Sequence, residues 1–186
     1  MGSQSCSSVP PEPNRGRQLS LPGYRQTPVS ESGSVRHAGR VDFQDRSDAA
    51  SRLAPLVDSA VAALADPPQA ITVFAKSPGG TVIGVAVASV LDSSLVNVES
   101  AADVAAVAQD LLTDRLVIVV DDGVETGRAT FGIGQALRAR AVTTLWLAVP
   151  VCPRQTEVTL ANVYDQVVAV VRPLARRSLR WHYQQF

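Results

Sequence analysis

Short runs of almost wholly apolar residues recur along the chain, separated by longer segments in which apolar residues return every three or four positions. The short runs are typical of β-strands and the longer segments of helices. They predict strands at 71–75, 94–98, 116–121, 143–151 and 166–171, and helices at 45–65, 100–112, 126–141 and 154–163. The segment 81–91 is apolar almost throughout and is interpreted as a buried helix that follows the glycines of KSPGG. Pro55, inside the first helix, either kinks it or marks where a second helix starts.

Strands and helices alternate along the chain, and the strands lack the apolar–polar alternation of a half-exposed sheet. Continuous apolar strands are typical of a parallel sheet that is covered on both faces. We therefore predict an α/β fold with three layers, in which a mainly parallel sheet carries helices on both faces. Ligands of such sheets bind beyond the carboxyl ends of the strands.

The first part of the chain, residues 1–41, has a different composition. It is rich in Ser, Pro, Gly, Gln and Arg, with only isolated apolar residues. Such a segment cannot bury enough apolar surface to offset the conformational entropy lost on ordering. A disordered tail is therefore predicted for 1–41, and one α/β domain for 42–186.

Charge and cysteine content narrow the range of partners. The formal net charge is +0, so no overall field favours nucleic acid or an anionic membrane. No apolar run reaches the roughly 18–20 residues of a membrane helix. The two cysteines, Cys6 and Cys152, form neither a metal spacing nor a disulfide framework. We expect a cytoplasmic protein with no nucleic-acid or membrane partner.

The stretch VIVVDDGVETGRAT, residues 117–130, carries the strongest chemical signal. Asp121 and Asp122 end a buried strand, where two carboxylates can accept hydrogen bonds from the vicinal hydroxyls of a ribose or hold Mg²⁺-bound water. In the loop that follows, glycines permit close backbone approach, and the free amides of a helix start favour a phosphate. The pattern indicates a sugar-phosphate site. The alternative is a solvated strand-to-helix turn in which Thr126 caps the helix.

This stretch resembles the phosphoribosyl-diphosphate (PRPP) motif of type I phosphoribosyltransferases, in which four apolar residues, two acids and a short bridge lead to Thr-Gly. The segments DFQDRSDAASRLAPLV, ITVFAKSPGGTVIGVAVASVL and LWLAVPVCP, and the terminal WHYQQF, are similar to segments of poorly characterised bacterial phosphoribosyltransferase-like proteins. The resemblance covers about residues 42–186.

The resemblance implies a role for each matching residue. Asp121 and Asp122 would meet the ribose hydroxyls and act in catalysis. The loop around the 5′-phosphate would comprise Gly123, Thr126, Gly127, Arg128, Ala129 and Thr130, and the diphosphate turn would comprise Lys76, Ser77, Gly79 and Gly80. Mg²⁺ is expected to arrive with PRPP and to be held through that ligand, with no direct protein ligand predicted and with Asp121 and Asp122 as the candidate protein contacts. Domains of this type often pair, so a homodimer is also expected.

The diphosphate half of the motif departs from the family pattern. The related proteins usually carry Arg before the two glycines of the turn, where this chain has Pro78, which offers neither a charge nor an N–H. Lys76, the only lysine in the chain, either compensates or is simply solvated. The basic residues and long mobile loop that usually follow the second strand are replaced by Glu99 and a segment predicted to be helical.

The C-terminal RRSLRWHYQQF leaves two interpretations open. In the first, Trp181 or Tyr183 contributes to the site by stacking on a base or by covering the pocket. In the second, the segment packs on the core and has no role in binding. His182 is a weak general-base candidate because the sequence shows no partner for it.

Three functions remain open from the sequence. The first is an enzyme, a Mg²⁺-dependent phosphoribosyltransferase that transfers the group to a base and releases diphosphate. The second is a non-catalytic regulatory module that binds PRPP or a nucleotide, favoured by Pro78 and the missing lid. The third is an interaction domain with a vestigial site.

Overall fold

The computed structural model describes residues 41–186, and almost all of the predicted disordered tail lies outside the described residues. The described residues form a five-stranded sheet in the order β2-β1-β3-β4-β5, and every pair of neighbouring strands is parallel. The strands are β1 Ile71–Lys76, β2 Ser94–Val98, β3 Leu116–Val120, β4 Thr144–Val151 and β5 Gln166–Val171. All five predicted strands are present. The sheet was predicted to be mainly parallel, and all of its described strand pairs are parallel.

Helices cover both faces of the sheet and complete three layers. They are α1 Arg46–Ala62, α2 Thr81–Val90, α3 Arg128–Ala139 and α4 Arg154–Leu160. All five residues of the central β3 are buried, and alternate side chains point to opposite faces. Ile118 packs in the core beneath α1 and α2, whereas Val119 packs in the core beneath α3 and α4. The predicted three-layer α/β fold is confirmed.

The first helix runs through Pro55 without a break. Proline removes the hydrogen bond that its own N–H would have made to the carbonyl of Ser51. Ser51 and Pro55 are both exposed, so water can take the place of that bond. A second helix does not start at Pro55, so that interpretation of the sequence is wrong.

The predicted helix at 100–112 is wrong. Two short 3₁₀ turns, Asp103–Ala106 and Gln109–Leu111, occupy this segment. The guanidinium of Arg140 binds the carbonyl oxygens of Val104, Ala105 and Val107 at 2.8, 3.1 and 3.0 Å. These carbonyls would otherwise accept the backbone bonds of an α-helix, so a tertiary contact overrides the helical propensity of the alanines.

The two ends of the described chain meet beside the start of α1. Phe43 and Tyr183 form a parallel bridge, in which the Phe43 N–H donates to the His182 carbonyl at 2.9 Å and the Gln184 N–H to the Phe43 carbonyl at 3.0 Å. This pairing holds the terminal residues next to the carboxyl end of β3. In the part of the chain that the structure describes, no helix has the length and apolar character needed to cross a membrane.

Candidate functional site

The site lies where β1 and β3, neighbours in the sheet, end side by side. The turn after β1 packs directly on the two acids after β3. A Cβ atom on Gly79 would lie 2.6 Å from Cγ of Asp122, and one on Gly80 would lie 2.9 Å from Cα of Asp121. A side chain at position 80 would meet backbone atoms, so packing alone requires glycine there, whereas a side chain at position 79 would displace the Asp122 carboxylate.

Asp121 is buried, with 4% of its surface exposed. One carboxylate oxygen accepts the Asp122 N–H at 2.8 Å, and the other lies 3.4 Å from Nζ of Lys76. Burial raises the pKa of Asp121 to about 7; the charge of Lys76 lowers this pKa and that of Asp122 raises it. Lys76 therefore pairs with Asp121. The sequence had suggested instead that Lys76 either compensates for Pro78 or is solvated.

Asp122 is also buried and has a stronger cationic partner. Nε and Nη2 of Arg46 donate to the same oxygen, Oδ2, at 2.9 and 2.7 Å. The hydroxyl of Tyr183 donates to the Asp122 carbonyl at 2.6 Å. Within residues 41–186, the other carboxylate oxygen of Asp122 accepts no hydrogen bond. Each acid of the pair thus faces one cation, and Asp122 retains a free acceptor.

The loop after the acids surrounds a cavity of about 120 Å³, lined by Lys76, Asp121 and 123–130. Gly123 and Gly127 have positive φ angles of 143° and 72°, which L-residues with side chains rarely adopt. Among the described residues, the amides of Thr126 and Gly127 donate to no protein acceptor. The cavity is therefore bordered by unused backbone donors at the start of α3.

Contacts from three directions hold this loop in place. The Val124 N–H donates to the Val151 carbonyl at 2.9 Å, and the Thr156 hydroxyl donates to the Glu125 carbonyl at 2.9 Å. The Glu125 carboxylate accepts the Leu179 N–H at 2.8 Å. The loop shape is thus determined by the protein before any ligand binds, which lowers the ordering cost of binding.

The remaining predicted residues of the loop differ in accessibility. Thr126, Arg128 and Ala129 are exposed, whereas Thr130 is buried and its carbonyl accepts the Tyr164 hydroxyl at 2.6 Å. The Thr126 hydroxyl accepts the Arg128 N–H at 3.4 Å, a long bond for a helix cap. Thr126 is therefore free to turn its hydroxyl towards the cavity.

Some polar groups of the turn at 76–80 are hydrogen-bonded within the protein, and others are free. The hydroxyls of Ser77 and Thr81 lie 3.0 Å apart, and the Gly80 N–H donates to the Lys76 carbonyl at 2.7 Å. In the described residues, the Gly79 amide donates to no protein acceptor. Ser77 also borders a larger cavity of about 510 Å³ next to the end of β2.

The terminal segment packs on the core, as the simpler interpretation predicted. Tyr183 is buried and bonded to Asp122, while Trp181 is 68% exposed. His182 does have a partner, contrary to the sequence prediction, because its Nδ1 lies 2.6 Å from Oδ2 of Asp42. His182 thus ties the two chain ends together rather than facing the loop cavity.

Sequence reasoning missed Arg46 as a site residue. It stands in the segment DFQDRSDAASRLAPLV, which was matched only for its family resemblance. Arg46 is separated from Asp122 by 76 positions, and no periodicity connects the two residues. The one available signal was its position directly after Asp45, at the start of the first helix.

Magnesium fits this site only as a shared ion. The described residues hold no group of three or more His, Cys, Asp or Glu side chains that would bind a metal. Mg²⁺ is commonly held by one or two carboxylates, waters and the phosphates of a substrate. Asp121 and Asp122 can supply the protein part of such a set.

Two known proteins match part of this chain in sequence. No family model matches it. Two Mycobacterium tuberculosis proteins, "Putative phosphoribosyl transferase MT0597" of strain CDC 1551 / Oshkosh and "Putative phosphoribosyl transferase Rv0571c" of strain ATCC 25618 / H37Rv, are each 32% identical over 75 residues. The match covers 40% of this chain and only 17% of each relative.

A solved structure shares the fold. The protein TT1426 from Thermus thermophilus matches with a TM-score of 0.60 and 20% identity, over 77% of this chain and 91% of that chain. A purine phosphoribosyltransferase from Pyrococcus horikoshii is more distant, with a TM-score of 0.46 and 18% identity, over 71% of this chain and 89% of that chain. The two partial sequence relatives are each named "Putative phosphoribosyl transferase", in agreement with the predicted resemblance, and the α/β fold is shared with a solved structure.

Proposed function

We propose that this protein binds PRPP and transfers its phosphoribosyl group to a nitrogenous base. In this reaction the bond from C1 of the ribose to the diphosphate oxygen breaks, and a bond from C1 to a ring nitrogen forms. Diphosphate leaves with the electron pair, and the base gives up its proton. The observation that supports the proposal most directly is the buried pair Asp121 and Asp122, of which Asp121 lines a cavity bordered by free amides.

The loop 123–130 would bind the 5′-phosphate. Its unused amides and the start of α3 offer N–H donors and the positive end of the helix dipole. The exposed Thr126 and Arg128 add a hydroxyl and a charge at the cavity mouth. A phosphate dianion thus meets donors without displacing any bond that holds the loop.

The two carboxylates would bind the ribose hydroxyls. Asp122 offers its free oxygen, and Asp121 can exchange its long contact with Lys76 for a shorter bond to a hydroxyl. Orientation of the ribose over the loop, with charges placed around an oxocarbenium-like transition state, would supply most of the catalysis. Mg²⁺, when bound with PRPP, would neutralise charge on the leaving diphosphate.

Calorimetric titration of PRPP with Mg²⁺ tests the proposal. We expect the wild type to bind and the double variant Asp121→Asn, Asp122→Asn to lose about 100-fold or more in affinity, because each charged hydrogen bond contributes about 1.5–3 kcal/mol. Asp58→Asn, on the exposed side of α1, is the control and should bind as the wild type does. Circular dichroism would establish that all three proteins are folded.

A folded wild type that binds no PRPP near millimolar concentration would contradict the proposal. If binding is found, release of diphosphate in the presence of a panel of purine and pyrimidine bases tests the transfer step. Release that depends on both a base and the two acids supports a transferase. Binding without any release would restrict the protein to recognition of PRPP.

A further inference from the structure

The turn that would hold the diphosphate has no free cation of its own. Lys76 is its only charged residue, and Lys76 faces Asp121. Pro78 contributes neither a charge nor an N–H, so the turn offers chiefly the amide of Gly79. Diphosphate carries several negative charges, and backbone amides alone are a weak counterpart for them.

A guanidinium from another element contacts the same carboxylate as this turn. The carboxylate of Asp122 packs against Gly79 on one side, since a Cβ atom there would lie 2.6 Å from its Cγ. The same carboxylate accepts two hydrogen bonds from Arg46 at 2.9 and 2.7 Å. The turn and the Arg46 guanidinium are therefore both direct neighbours of a single carboxyl group.

Arg46 keeps donors for a ligand. A guanidinium has five N–H groups, and Arg46 directs only Nε and Nη2 at one oxygen of Asp122. Its side chain is 29% exposed, so part of it is accessible to a bound molecule. One ion pair with Asp122 thus orients the group without using up its capacity to donate.

Aromatic packing holds the guanidinium in place. Cζ of Arg46 lies 4.3 Å from the ring centroid of Phe186, and this ring packs on Tyr183 with centroids 5.4 Å apart. Tyr183 in turn packs on Phe43, at 5.3 Å. A guanidinium that is stacked and ion-paired loses little further freedom when it binds an anion.

We propose that Arg46 is the cation of the diphosphate subsite and contacts the diphosphate of a PRPP molecule whose ribose is held by Asp122. This inference rests on the proposed function and adds a residue to it from the first helix. Arg46 replaces the charge that the turn lacks at Pro78. It would bind the leaving group rather than the ribose or the 5′-phosphate.

Three ligands separate this role from a purely structural one. PRPP and inorganic diphosphate contain the diphosphate group, whereas ribose 5-phosphate does not. In Mg²⁺-containing buffer we expect Arg46→Gln to weaken PRPP and diphosphate by about 10- to 150-fold, the range of one charge-assisted hydrogen bond. Binding of ribose 5-phosphate should stay within about threefold of the wild type, and Arg46→Lys should recover part of the loss.

Arg52 provides the matched control on the same helix. Its guanidinium also stacks on an aromatic ring, that of Phe43 at 4.6 Å, but bonds the Asp42 carbonyl instead of a site acid. Arg52→Gln should leave the affinity for all three ligands unchanged. Thermal unfolding of each variant would show that the measured proteins are folded.

The outcomes distinguish the two proposals. If Arg46→Gln weakens ribose 5-phosphate as much as PRPP, Arg46 acts only by orienting Asp122, and the inference is overturned while PRPP binding stands. An unchanged affinity for PRPP and diphosphate overturns it as well. A folded wild type that binds none of the three ligands overturns the proposed function and this inference together.

Discussion

At the scale of single residues, the two adjacent acids differ in how their charge is compensated. Arg46 makes two short hydrogen bonds to Asp122, whereas Lys76 approaches Asp121 only to 3.4 Å. Burial therefore remains the largest effect on Asp121 and raises its pKa to about 7. Ionisation of such a buried carboxyl group destabilises the folded protein. Above neutral pH the resulting carboxylate can accept hydrogen bonds from ligand hydroxyls.

The pH dependence of stability should reveal this group. Between its ordinary pKa of 3.8 and about 7, Asp121 holds its proton in the folded protein but has lost it in the unfolded chain. The favourable contribution is thus fully present below about pH 4 and is lost as the pH rises to about 7. We expect Asp121→Asn to gain in unfolding free energy relative to the wild type across this range, by at most about 1.4 kcal/mol per pH unit.

Urea unfolding of both proteins at pH 5, 6, 7 and 8 measures the difference. Asp58→Asn, exposed on α1, should show no pH-dependent gain. A constant difference between Asp121→Asn and the wild type over this range would mean that Asp121 ionises at its ordinary pKa in the folded protein.

At the scale of elements, the first turn of α1 positions a residue of the candidate site, which the amphipathic pattern of this helix did not predict. Asp45 caps this helix, accepting the N–H groups of Ser47 and Asp48 at 2.7 and 2.9 Å. The cap fixes the first turn, and Arg46 is the first residue of that turn. Helix packing against the sheet then carries Arg46 to the carboxyl end of β3.

Loss of this cap should be measurable. Asp45→Ala removes the acceptor for two backbone donors, and we expect the unfolding free energy to fall by about 0.5–2 kcal/mol. Asp58→Ala, an exposed change inside the same helix, should leave stability unchanged or slightly higher because alanine favours helix interiors. Chemical denaturation of the three proteins would decide; equal effects of the two substitutions would contradict a capping role for Asp45.

Local sequence patterns were sufficient to predict some of the helices and strands but not all of them. The five strands are found close to their predicted bounds, since short apolar runs rich in β-branched residues favour buried strands. The segment 100–112 was mispredicted because its backbone carbonyls are bound by Arg140, about 35 positions away in sequence. No local pattern contains that contact.

At the scale of the whole molecule, the chain ends of the described part close over the site side of the sheet. Phe43 pairs with Tyr183, and His182 pairs with Asp42 at 2.6 Å. Through Tyr183 and Phe186 this closure reaches Asp122 and Arg46. The residues that flank the sheet in sequence therefore take part in shaping the acid pair.

The predicted division of the chain can be tested by truncation. Residues 1–41 have the composition of a segment that cannot form a core, so we expect a protein beginning at residue 42 to keep its melting temperature within about 2 °C. Differential scanning calorimetry of both forms provides the measurement. A clearly lower melting temperature of the shortened protein would assign a stabilising role to the removed segment.

The sequence by itself determined the fold class and one half of the candidate site. Continuous apolar strands predict a buried parallel sheet, and the acids with their glycine-containing loop are contiguous, so that their chemistry is visible in residues 117–130 alone. The tertiary structure decided the other half. Arg46, Lys76 and Tyr183 reach the acids only because β1 lies beside β3 and because Phe43, just before α1, pairs with Tyr183 of the C-terminal segment. Such contacts depend on how distant segments pack, and local sequence periodicity carries no information about them.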